Sequence, residues 1–176
     1  AMGLQLPGGS FVNPGTPLRD ALTRVAAEQI VKITAQSRDY RPLGEMIDAR
    51  SFVNAIVALL ASGGSTNHSM HLVAMARAAG LIINWDDFSE LSAAVPLLAR
   101  VYPNGQADIN HFHAAGGTPF LFRELLQAGL MHPDAGTVWG ADFSAYTQEP
   151  GLNGEEVTWH PAVGESHDED VLRPVS

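Results

Sequence analysis

Residues Ser51 to Gly80 read "SFVNAIVALLASGGSTNHSMHLVAMARAAG", and their helical periodicity sets the architecture expected of the chain. In the first half, Phe52, Val53, Ile56, Val57, Leu59 and Leu60 are apolar on nearly every side of a helix opened by Asp48 to Ser51. That pattern predicts a buried rather than half-exposed element. Gly63-Gly64 ends it, because glycine takes the left-handed conformation that closes helices at little cost. In the second half, Met70, Leu72, Val73, Met75 and Ala76 run to a stop at Gly80, and Ser65 or Thr66 is placed to cap this second helix.

Toward the N-terminus, turn-rich Gly8 to Gly15 precedes Thr16-Pro17, an N-cap with proline at the first helical position. Leu18, Leu22, Val25, Ile30 and Ile33 then predict an amphipathic helix to about Gln36, followed by a polar break from Ser37 to Pro42. Toward the C-terminus, Leu81-Ile82-Ile83 has the composition of a short strand, and Asp86-Asp87 starts a helix across Phe88 and Leu91. Val95 to Val101 reads as a buried strand or the end of that helix, and Pro96 favours the extended form. Asn104-Gly105 is a turn, Asp108 to Ala115 a short helix, and Thr118-Pro119 an N-cap for a helix from Phe120 to Ala128 that stops at Gly129. Thr137-Val138-Trp139 and Glu155 to Trp159 are strand candidates. Beyond His160-Pro161 the chain turns acidic, so Ala162 to Ser176 is expected as tail or linker. The expected fold is α/β, dominated by helix, with a few short strands.

A chain of 176 residues with 45% hydrophobic content fits one domain with a sizeable core. Its formal charge of -9, from 10 Lys+Arg against 19 Asp+Glu, argues against nucleic acid or an anionic membrane surface as partner. No apolar run approaches the roughly 20 residues that span a bilayer, and no signal-peptide pattern opens the chain, so the expected location is the cytoplasm. There is no cysteine, which excludes disulfides, zinc-thiolate sites, a Cys nucleophile and a thiolate-held iron-sulfur cluster within the chain. No GxSxG elbow, Walker loop, GxGxxG after a strand or HExxH is present.

The Gly64 to His68 junction is the leading candidate site. A helix start leaves backbone N–H groups free with positive partial charge, glycines let a ligand approach the backbone, and Ser65, Thr66 and Asn67 add polar side chains. The competing reading is a tight interhelical turn whose hydroxyl only caps the next helix. A second glycine pair, Gly116-Gly117, and His111 near it are the second choices. His68 and His71 share a helix face but have no third ligand at fitting spacing, so no metal site is assigned. Arg77, Arg100 and Arg123 are the basic residues of the apolar middle, each able to clamp a phosphate or sit in an ordinary surface pair.

The stretches "VNPGTPLRDALTR", "DYRPLGEMIDARSFVNAIVALLASGGSTNHSMHLVAMARAAG", "INWDDFSELSAAVPLLARVYPNGQADINHFHAAGG" and "LRPVS" together resemble the dihydroxy-acid and sugar-acid dehydratase family, from about Leu4 to Ser176. Members related to dihydroxy-acid dehydratases usually follow GGSTN with alanine; His68 here, with His71 and "YPNGQADIN", resembles the phosphogluconate branch. The resemblance implies a hydro-lyase that converts 6-phospho-D-gluconate to 2-dehydro-3-deoxy-6-phosphogluconate in the Entner-Doudoroff pathway. It implies a 4Fe-4S cluster as Lewis acid in a full-length parent, with cysteine ligands outside this chain and none expected within it. It further implies a homodimeric parent acting on a sugar-acid phosphate, a fragment inactive alone, residues 1–161 as the middle of an N-terminal α/β/α domain, and residues 162–176 leading toward a C-terminal domain. Gly64, Ser65, Thr66, Asn67 and His68, then His111, Gly116 and Gly117, are the residues assigned to binding the polyol acid; no catalytic base is assigned.

Overall fold

The structure, a computed structural model, describes residues 1–176. Seven α-helices, α1 (Pro17–Lys32), α2 (Leu43–Met46), α3 (Ala49–Ser62), α4 (Thr66–Ala78), α5 (Trp85–Ala94), α6 (Ile109–Ala114) and α7 (Gly117–Gln127), precede one hairpin of β1 (Gln148–Asn153) and β2 (Glu156–Pro161). The chain is thus helix-dominated, with a single two-stranded sheet.

Helix α3 is the central element because its apolar residues face two cores. Val57, Ala58 and Ala61 join α6, α7, Phe143, Tyr146 and Leu172 in the larger cluster, while Phe52, Ala55, Ile56 and Leu59 pack with Leu72 and Ala76 of α4 and Phe88 of α5. A helix buried on both faces has no room for a polar stripe, which is why the sequence there is apolar all round. Asp48 caps it, accepting from the Arg50 and Ser51 amides, and Gly63 closes it at φ 61°. The third and smallest cluster, Leu6, Val12 and Leu22, lies beneath α1 and the hairpin, against Val157 and Trp159.

Several elements differ from expectation. Helix α1 stops at Lys32, four residues before Gln36, because the Thr34 and Ser37 hydroxyls bond back to the Val31 and Thr34 carbonyls and favour a turn. Leu81-Ile82-Ile83 is not a strand: no second strand lies beside it, and Ile82 is exposed. Val95 to Val101 is extended but makes only isolated bridges, Ala99 with Leu172 and Val101 with Ala107. Helix α7 begins at Gly117 with Gly116 as its cap, so Thr118-Pro119 sits inside the first turn. Thr137 to Trp139 forms a turn around the Thr137 hydroxyl, which accepts from the Trp139 and Gly140 amides.

Strand β2 matches the expected Glu155 to Trp159 run; its partner β1 has no strand-like composition, since it contains Pro150 and Gly151. The two-residue loop Gly154-Glu155 closes the hairpin, with Gly154 at φ 64° and Asn153 paired to Glu156. Residues 162–176, expected as tail or linker, are laid on the core instead. Leu172 is fully buried, the Arg100 amide donates to Val171, and the Arg173 amide donates to Leu98. Two apolar residues within an acidic stretch suffice, because they fill a gap beside Leu98 and Ala99 that only the folded chain presents.

Candidate functional site

The α3–α4 junction opens onto a cavity of about 690 Å³, within the range of small-molecule sites. Its polar side is the junction itself, with Gly63, Gly64, Ser65, Thr66 and His68. Ser65 is the N-cap of α4: its hydroxyl accepts from the Asn67 amide at 3.1 Å, while the His68 amide donates to the Ser65 carbonyl at 2.9 Å. The other walls are mainly apolar, from Ala58 and Leu59 of α3, Phe112 of α6, and Leu121 and Phe122 of α7. A loop of Tyr102, Pro103 and Asn104 forms the rim, and Ala1 and Phe11 complete the lining.

The electrostatics of this cavity are spare. No Lys, Arg, Asp or Glu lines it. His68 is lowered from its usual value, first by the partial desolvation of its ring at the cavity edge and then by positive neighbours, His71 among them. The positive partial charge facing the cavity is that of the start of α4, beside the Ser65 and Thr66 hydroxyls.

Of the residues singled out from sequence, Gly64, Ser65, Thr66 and His68 share this cavity, all of them exposed. Asn67 is exposed and is not part of the lining. His111 lies elsewhere, its Nδ1 2.8 Å from Asp108 Oδ1 in the cap of α6. Gly116 and Gly117 are buried at the α6–α7 turn, outside the cavity lining, and a Cβ on Gly116 would stand 2.9 Å from the Phe120 Cβ. Arg123 is engaged with Glu124, the Val163 and Gly164 carbonyls and the face of Phe120. Thr118, legible only as a cap, lines the cavity, and so does Asn104, legible only as turn chemistry. No group of three or more His, Asp or Glu side chains is arranged to hold a metal ion, and the chain offers no thiolate.

The family described as dihydroxy-acid/6-phosphogluconate dehydratase N-terminal matches residues 1–146. The chain belongs to this family. It is 61% identical over 171 residues to the phosphogluconate dehydratase of Escherichia coli (strain K12), covering 97% of this chain and 28% of that protein. It is 56% identical over 174 residues to the phosphogluconate dehydratase of Pseudomonas aeruginosa, covering 99% of this chain and 29% of the relative. The chloroplastic dihydroxy-acid dehydratase of Arabidopsis thaliana is 37% identical over 176 residues, covering 100% of this chain and 26% of its own length. The chain thus spans under a third of the curated dehydratases it matches.

Proposed function

We propose that this chain is the substrate-binding segment of a phosphogluconate dehydratase, a hydro-lyase that takes 6-phospho-D-gluconate to 2-dehydro-3-deoxy-6-phosphogluconate and water. The observation that carries the reading is the gap between 61% identity to the Escherichia coli phosphogluconate dehydratase and 37% to the Arabidopsis dihydroxy-acid dehydratase, over almost the same residues.

The reaction removes the proton alpha to the carboxylate and expels the neighbouring hydroxyl, a poor leaving group that Lewis-acid help makes competent. An iron-sulfur cluster would supply that help, but the residues present do not fit one: with no cysteine, this chain has no thiolate to ligate iron. Its own contribution is binding and orientation. The start of α4 attracts an anionic group of the substrate, the Ser65 and Thr66 hydroxyls pair with substrate oxygens, and His68 donates an N–H. The apolar walls from α6 and α7 keep water away from one side of the carbon chain.

The test is the full-length protein carrying this segment, with Ser65→Ala and Thr66→Ala combined. Turnover of 6-phosphogluconate in the unsubstituted protein and a loss of about 10²-fold in kcat/KM in the variant is the expected result. Turnover of a branched-chain dihydroxy acid instead would move the substrate to the sister activity. Unchanged kinetics in the variant would reduce the junction to a helix cap.

A further inference from the structure

We propose that Asn104 is a positioning residue for substrate binding: it sets the Gly63–Thr66 junction through its bond to the Gly63 carbonyl. The proposal rests on the reading of that junction as the substrate-binding surface. The end of α3 leaves carbonyls without intrahelical partners. One segment satisfies two of them: the Leu98 and Ala99 amides donate to the Ala61 carbonyl at 2.7 and 3.1 Å, and Asn104 Nδ2 donates to the Gly63 carbonyl at 2.9 Å. Asn104 is the only side chain among these donors, and its acceptor Gly63 stands two residues before Ser65.

Its own placement is rigid. The Asn104 and Gly105 amides both donate to the Val101 carbonyl, and a Cβ on Gly105 would stand 2.0 Å from the Arg100 carbonyl oxygen, so the turn closes only with glycine there. The contact with the junction is equally close: a Cβ on Gly63 would come within 2.2 Å of Asn104 Nδ2. Because Asn104 is exposed and outside the core, losing its bond loosens the junction without unfolding the chain, and the consequence falls on the aim of the junction.

Asn104→Ala and Asn104→Asp in the full-length protein carrying this segment test this, with the Ser65→Ala, Thr66→Ala pair beside them. Asp keeps the size and removes the donor. Both Asn104 variants should raise KM for 6-phosphogluconate by about tenfold, the factor one hydrogen bond supports, with kcat held within about twofold and the melting temperature little changed. Asn104→Gln, which restores an amide, should recover part of the loss. If KM stays within about twofold in both variants while the Ser65/Thr66 pair raises it, the Asn104 role is overturned and the binding surface stands. A fall in kcat at unchanged KM likewise overturns it, since that marks lost active protein. Unchanged kinetics in every variant overturn both readings.

Discussion

Asn54 is the polar residue on which the largest single effect is expected. It is fully buried on α3, where its Nδ2 donates to the His132 carbonyl at 2.9 Å and its Oδ1 accepts from the His132 amide at 2.7 Å. One amide side chain thus stands in for a strand partner and pins the irregular segment after α7. Asn54→Leu leaves the part-buried amide and carbonyl of His132 without their protein partner, so urea unfolding should show a loss of about 1–3 kcal/mol. A loss below about 1 kcal/mol would mean that water reaches the pair. In sequence, "FVNAIV" gives no hint of this, because the partner sits 78 residues away and is a backbone group. The same holds for Asn104, whose bond to Gly63 crosses 41 residues, whereas Ser65 as a cap is a local matter and is legible from its neighbours alone.

At the level of elements, the two glycines of the junction are not equivalent. Gly63 has φ 61° and its Cβ would meet Asn104, while Gly64 lies outside the left-handed region and the one close approach of its Cβ would be to the Leu59 side chain. Gly63→Ala should therefore destabilise by about 1–3 kcal/mol and Gly64→Ala by clearly less, read as melting temperatures; equal effects would refute the assignment of the left-handed cap to Gly63. Elements built from such local signals were readable: α3 and α4 with their caps, α5 from the Asp86-Asp87 pair in its first turn, and α6 with Asp108. Those set by distant partners were not. Strand β1 exists because β2 and α1 lie beside it, and Leu81 to Ile83 fails to become a strand because nothing does.

For the whole molecule, the acidic C-terminal segment is a structural part. Leu172→Ala should cost about 2–5 kcal/mol, as for a fully buried leucine, and a near-neutral result would return residues 162–176 to a tail. Stability should also depend on pH with a definite sign. His68 is lowered from 6.5 on folding, first by desolvation, so just below that value the unfolded chain binds more protons and stability declines as pH falls from about 6.5. Asp48, held down first by its bond from Arg50, and Asp134, held down the same way, add a second loss when pH drops below their ordinary 3.8. Melting temperatures at about pH 7.5 and pH 5 check the first window, and His68→Gln should flatten it.

The lacing of the N-terminal residues carries a consequence for synthesis. Tyr146 donates to the Gly3 and Gln5 carbonyls and Trp159 to the Pro7 carbonyl, spans of 143, 141 and 152 residues. At a ribosomal rate of about 5–20 residues per second, these first residues wait on the order of ten seconds for the side chains that fasten them. Ala1 and Phe11, which line the cavity, wait with them. During that interval α3 and α4 can already be formed while the pocket beside their junction still lacks a wall, so its apolar lining is open to chaperones before it is open to substrate.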